Sequence, residues 1–330
     1  PVRISRPVRV GVQLLVSGAI IAYLLWRIDL GRTVDLIRSS NGWEVLAAYA
    51  IVIVTTVGMA WRWQALLASK GIQEPLGWLT KLYFMGYAAG QVLPTSLGGD
   101  ALRIAAHARR RPYAKGEAAA AVLMERALGS AGTLILVALG LILAIGRYDN
   151  IAVLVWLEAV FVVSAAAAFV LLFSRRANTW LQSRESTRRL ARAFQSVWLA
   201  LHSYRERPGV LGTVLGATLL LQLARIISIW LCGEAVGVDV SPLVYVVMGP
   251  LLFLVMLIPF TINGLGVREA FFIAFLGRFD VSADAAFATG FLFYAVSIGA
   301  AIPGGFIMLW ESLRRPPPAQ PVDAPGARVP

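Results

Sequence analysis

Seven charged side chains lie inside apolar stretches of this chain: Asp100, Arg103, Glu125, Arg126, Arg225, Arg268 and Glu269. Each costs about 2.5–3.5 kcal/mol at mid-membrane on insertion scales, so such groups mark a pathway or a partner. Two of the arginines close related stretches. Arg103 ends Leu93-Pro94-Thr95-Ser96-Leu97-Gly98-Gly99-Asp100-Ala101-Leu102-Arg103, and Arg268 stands in Ile258-Pro259-Phe260-Thr261-Ile262-Asn263-Gly264-Leu265-Gly266-Val267-Arg268-Glu269. Both step nine residues from proline to arginine and place a glycine five after the proline, at Gly99 and Gly264. Guanidinium forks together with backbone N–H groups freed at Gly98-Gly99 and at Gly264 to Gly266 suit an anionic phosphate. Asp100, Glu125 and Glu269 suit a cationic headgroup or a coupling proton, and residue type does not choose between them. Glu125 and Arg126 point about 100° apart on a helix and are expected to serve different partners; Arg268 and Glu269 pose the same question. The competing reading is structural: internal ion pairs that tie hairpins to spans, with Arg225 the strongest case. Thr95, Ser96, Thr261 and Asn263 supply polar groups at the tips, where they satisfy broken backbone or line a headgroup path.

The elements that position these groups follow from composition. With 58% hydrophobic and 15% charged residues and a mean hydropathy of +0.72, the chain reads as an all-α polytopic membrane protein. No polar block is long enough for a separate soluble catalytic domain. The net charge of +12 is nearly all arginine. It suits cytoplasmic loops against anionic inner-leaflet lipid rather than nucleic acid. The single cysteine, Cys232, excludes disulfides and a cysteine metal site.

Placing cationic loops inside gives the topology. Residues 1–9 are a cytoplasmic N-terminus, and Val10 to Trp26 is a retained first span rather than a cleaved leader. A second span runs from Trp43 to Ala60 and ends in Trp61-Arg62-Trp63, read as an interface anchor. Leu76 to Ala106 starts and finishes on the cytoplasmic side, as a re-entrant hairpin broken at Pro94. Glu117 to Ile145 and Ile151 to Phe173 are full spans, followed by a basic amphipathic segment, 174–208. Leu211 to Val236 crosses outward, 243–276 forms a second re-entrant hairpin broken at Pro259, and Ala283 to Trp310 crosses inward. A Pro-rich disordered tail, 312–330, is cytoplasmic. The expected fold is six full spans plus two re-entrant hairpins in an inverted repeat, 10–148 and 149–311. That architecture builds binding sites near the midplane where broken helices meet. Counting both hairpins as full spans gives eight crossings but puts the five cations from Arg103 to Lys115 outside. His107 and His202 are expected to be solvated interfacial residues.

Pro94 through Gly98-Gly99-Asp100 to Arg103, Glu125-Arg126, and Asn263-Gly264-Leu265-Gly266-Val267-Arg268-Glu269 together resemble the transmembrane region of lysylphosphatidylglycerol synthases. That family includes stand-alone, flippase-like members. The resemblance covers nearly all of residues 10 to 311. It implies lipid translocation or binding in a bacterial inner membrane. It argues against aminoacyl transfer, because the synthases' cytosolic domain has no counterpart here, and it does not carry over the lysylated substrate: stand-alone members are associated with hopanoids and glycolipids among other lipids. The expected partners are a membrane lipid substrate and anionic lipids at the basic loops; a homo-oligomer or contacts with lipid-biosynthesis proteins also fit. No cofactor, metal or catalytic residue is expected. The alternatives are an integral membrane enzyme acting on a lipid and an accessory subunit of lipid biosynthesis; no Asp-rich metal motif or Ser-His-Asp set supports the first.

Overall fold

A computed structural model describes residues 18, 22–26, 28–92, 98–144, 156, 160, 202–257 and 266–314. The described secondary structure is all helical. The helices are α1 (Leu30–Arg38), α2 (Gly42–Ala68), α3 (Leu76–Val92), α4 (Gly98–Arg110), α5 (Lys115–Ala144), α6 (Pro208–Ala235), α7 (Pro242–Leu257), α8 (Val267–Leu276) and α9 (Ala283–Arg314). Four helices among the described residues are long and apolar enough to cross a membrane: Gly42–Ala68, Pro112–Gly140, Pro208–Ala235 and Ala283–Arg314. Most of the expected spans at 10–26 and 151–173, of the basic segment 174–208 and of the tail lies outside the described residues, as do Pro94 and Pro259.

Local chemistry sets the boundaries. Asn41 caps α2, its side chain accepting from Trp43 N at 3.1 Å, while its own N–H donates to Ala235 O at 2.9 Å and ties the start of α2 to the end of α6. Pro208 opens α6, where its missing N–H is no loss. α2 runs eight residues beyond the expected end at Ala60. Trp61-Arg62-Trp63 is therefore not an interface anchor: Arg62 and Trp63 lie within a continuing helix whose period turns both inward, and both are buried.

α2 and α6 pack along their length in antiparallel sense, with Leu221 beside Gly58 and Arg225 beside Thr55. α3 and α4 are also antiparallel. The Trp78 and His107 rings lie tilted against each other at 5.8 Å, Arg103 lies over the Tyr83 ring, and Gly86 meets Gly99. α9 descends along α3, with Gly304 pressed against the Phe84 backbone and Lys81 paired with Glu311.

These contacts sort the polar residues to two ends. One end holds α1, the start of α2, the end of α6 and the starts of α7 and α9. It carries Asp29, Asp35, Glu44, Glu234, Asp239, Asp280 and Asp284 against Arg32, Arg38 and Arg278. The opposite end carries Lys70, Lys81, Arg109, Arg110, Arg111, Lys115, Arg205, Arg207 and Arg314 against Glu74, Glu117, Glu206 and Glu311. Both ends of the α3–α4 pair lie at the cationic end. The start of α7 and the end of α8 share the acidic end, within one hydrophobic core that includes Val240, Val244, Tyr245, Phe275 and Leu276. A second core, built on Trp63, Leu66, Leu79, Ala118 and Tyr204, fills the cationic half.

Candidate functional site

The first half of the chain gathers a buried charge network from four helices. Glu125 of α5 is 6% exposed. Its carboxylate accepts from the Tyr83 hydroxyl, from Arg103 Nη1 at 3.3 Å, and lies 3.6 Å from Arg62 Nη2. Arg62 also donates to the Glu125 backbone oxygen at 3.2 Å. Arg103 Nη2 meets Asp100 Oδ1 at 2.5 Å, one turn back on α4, and the other Asp100 oxygen accepts from Arg126 Nε. The Arg103 guanidinium is held 3.9 Å from the Tyr83 ring centroid and 5.0 Å from that of Trp63, two cation–π contacts in a desolvated setting. Three guanidiniums thus face two carboxylates, and the cluster is net cationic. Glu125 and Arg126 serve different partners, as their angular separation requires.

A cleft of about 290 Å³ borders this network, lined by Thr56, Met59, Tyr83, Gly86, Tyr87, Gly90, Gln91, Gly99, Asp100, Arg103 and Arg225. Gly90 on its α3 wall leaves it open, because a Cβ there would meet nothing within 4 Å. At Gly99 the reason for glycine is different: a Cβ there would run into the Gly86 carbonyl. Arg225 enters from the middle of α6, its Nε 3.4 Å from Thr55 Oγ1 and its guanidinium 5.6 Å from the Tyr87 centroid. A larger, shallow groove of about 600 Å³ runs along the outer face of α4, past Ala101, Ile104 and Ala108 to Arg109 and Lys115. It lies on the side of α4 away from Arg103, and the buried charges belong to the smaller cleft.

The second half is closed. Arg268 and Glu269 are 3% and 4% exposed. They pair with each other, Nη2 to Oε1 at 2.6 Å and Nε to Oε1 at 3.0 Å. The free Glu269 oxygen accepts from Gly266 N at 2.7 Å and caps α8, and the guanidinium lies 4.4 Å from the Tyr294 centroid. Gly266 stands at φ +85°, a conformation that glycine adopts without penalty. α8 packs on α7 and α9, whereas α4 packs on α3 and α5. The expectation that Arg103 and Arg268 converge on one phosphate is not what these partners provide, because each is claimed by carboxylates and rings of its own half. Gly98 and Gly99 open α4 as its first residues; Asn263 and Gly264 lie outside the described residues.

Several members of the site were missed in the sequence. Arg62 and Trp63 were assigned to an interface by their composition, and Tyr83 carried no signal within an apolar run. Glu74 and His107 form a further buried group at the cationic end. The Glu74 carboxylate takes Arg111 Nε at 2.5 Å, His107 Nε2 at 3.6 Å and Arg110 Nε at 3.8 Å. His107 is not solvated: it is fully buried, its ring between those of Trp63 and Trp78 at 6.1 and 5.8 Å. The period of α4 turns it, like Arg103 four residues earlier, toward the core. Burial lowers the His107 pKa from its ordinary 6.5; Glu74 opposes this, and Arg111 and Arg110 add to it. His202 is half-buried, just ahead of the turn that leads into α6.

Comparison with known proteins agrees with this architecture. The sequence pattern of a family described as the lysylphosphatidylglycerol synthase TM region matches residues 10–304, most of the chain. No curated protein matches it.

Proposed function

From the premise that the chain belongs to the lysylphosphatidylglycerol synthase TM-region family, we propose that this multi-pass membrane protein moves a lipid with a phosphate-bearing or otherwise polar headgroup between leaflets of a bacterial inner membrane. The observation that carries the reading is the 290 Å³ cleft between the α3–α4 pair, α2 and α6, lined by Asp100, Arg103 and Arg225. A structural ion-pair network needs no adjoining space; a headgroup path does. The cleft is bounded by a cluster held rigid by its own pairs, which presents partial positive charge without reorganising. Arg268 and Glu269 act in this reading as the brace of α8 rather than as headgroup ligands.

The sidedness of the helix pairs supports an inverted, re-entrant arrangement. The α3–α4 pair opens at the cationic end, which the positive-inside rule assigns to the cytoplasm, and α7 and α8 open at the acidic end. Broken elements entering from opposite faces are the device by which transporter repeats build a central site. The cationic end then engages anionic inner-leaflet lipids.

The test is leaflet redistribution in liposomes. Purified protein should accelerate the exposure of inner-leaflet fluorescent phospholipid to an impermeant reductant outside, and Arg103→Ala should abolish the acceleration while retaining a cooperative melt. Wild-type protein that leaves the lipid where it was, or that changes its mass, would replace transport with binding or with chemistry.

A further inference from the structure

We propose that Arg225, rather than either motif arginine, is the group that receives the anion in the cleft, and that the anion is a phosphate ester. The inference deepens the transport reading and rests on its site. Every other cation around the cleft has a carboxylate: Arg103 is held by Asp100 and Glu125, Arg126 by Asp100 and Arg62 by Glu125. Arg225 has none within ion-pair distance among the described residues. Its polar contact is a 3.4 Å hydrogen bond to the Thr55 hydroxyl, whose own proton goes to the Val52 carbonyl at 3.0 Å, and its remaining support is the face of Tyr87.

Its position argues against a solvated resting place. Arg225 is ten residues from the end of α6 at Ala235, about 15 Å along the axis, and its facing residue Thr55 is near the middle of α2. A guanidinium at that depth is retained where it meets a partner or a pathway. Here it lines open space beside a cluster that already carries one more guanidinium than carboxylate. A phosphate in the cleft meets that excess and accepts two parallel N–H bonds from Arg225, the planar match that favours arginine for this anion. Gly90 on the cleft wall leaves room for the ester oxygens, since a Cβ there would meet nothing within 4 Å.

The experiment measures equilibrium binding, with no leaflet movement required. Full-length protein in phosphatidylcholine nanodiscs is titrated with fluorescent phosphatidic acid, with fluorescent diacylglycerol as the phosphate-free control. Phosphatidic acid should bind saturably and diacylglycerol should not. Arg225→Gln should weaken binding about tenfold or more, as expected for loss of charge-assisted bonds, and Arg225→Lys should recover part of it. Gly90→Phe, which fills the cleft where a Cβ meets no neighbour, should block binding and serves as the independent variant should Arg225→Gln fail to fold. Displacement by millimolar inorganic phosphate would assign the seat to free phosphate, and its failure to displace would assign it to the lipid ester; both keep Arg225 as the receptor. Unchanged affinity in folded Arg225→Gln, unchanged affinity in Gly90→Phe, or no binding to the wild type would each overturn the inference. Arg225-dependent binding without leaflet redistribution would instead remove the transport reading alone.

Discussion

Gly86 and Gly99 meet backbone to backbone: a Cβ on Gly86 would stand 3.1 Å from the Gly99 carbonyl oxygen, and one on Gly99 would overlap the Gly86 carbonyl. The two limbs of the α3–α4 pair are therefore in contact with no side chain between them. That closeness sets Arg103, one turn beyond Gly99, over the Tyr83 ring, 3.9 Å from its centroid.

Gly99→Val should consequently splay the pair. Overpacking of this kind costs about 1–3 kcal/mol, and here the obstacle is backbone that no rotamer change relieves. The melting temperature of the detergent-solubilised protein should drop by several degrees, whereas Gly90→Ala should leave it unchanged. Equal melting of the two variants would contradict the close approach.

Glu125 is the hub of the buried charges, so Glu125→Ala should be more damaging than loss of any one of its arginines. Removing one partner of a buried pair costs about 3–5 kcal/mol because the other charge is left uncompensated. Here it strands Arg62 and Arg103 together. Adding Arg103→Met to Glu125→Ala should restore part of the stability, a coupling read from the double-mutant cycle in thermal melts. Strict additivity would mean the two side chains are not in contact.

Arg268→Gln should separate brace from ligand. Loss of the 2.6 Å bond to Glu269 should lower the melting temperature, yet phosphatidic acid affinity should stay close to that of the wild type, since Arg268 does not line the cleft. A tenfold loss of affinity in a folded Arg268→Gln protein would return Arg268 to the binding site.

Acid should destabilise the cationic end through His107, which lies outside the four crossing helices. Its folded pKa is lowered by burial first, with Arg111 and Arg110 adding to that against the pull of Glu74. The unfolded chain takes up the proton near the ordinary value of 6.5, before the folded protein does. Its contribution is thus full above about pH 6.5 and is lost as pH falls below it. Melting temperatures from pH 8 to 5.5 should decline in the wild type and flatten in His107→Leu; parallel curves would exclude His107 as the source.

Arg109→Cys and Ser282→Cys should label from opposite sides of the bilayer with an impermeant maleimide. Arg109 stands at the cationic end and Ser282 opens α9 at the acidic end. Labelling of both from one side would undo the sidedness on which the inverted arrangement depends.

The sequence itself determined the solvent, the helices and the inventory of costly charges. Apolar runs of membrane length, proline-glycine interruptions and arginine-rich loops each act locally or through the bilayer, so the apolar runs Trp43 to Ala60 and Leu211 to Val236 and the interrupted stretch Leu76 to Ala106 were legible as helical without knowing their neighbours, although the first helix continues to Ala68. Who pairs with whom was decided by tertiary structure. Arg103 and Arg268 occupy matching places in matching motifs, yet one borders open space and the other is sealed on Glu269 and Tyr294, because different helices pack around them. Trp61-Arg62-Trp63 has the composition of an interface, yet Arg62 and Trp63 have the position of a core, and His107 has the neighbours of a surface residue and the burial of an interior one. Arg225 was visible as a charge where none should be. That it lacks a carboxylate among the described residues follows only from the folded arrangement, which gives both nearby acids, Asp100 and Glu125, to other arginines: Coulomb energy depends on distance in space, and distance along the chain carries almost none of it.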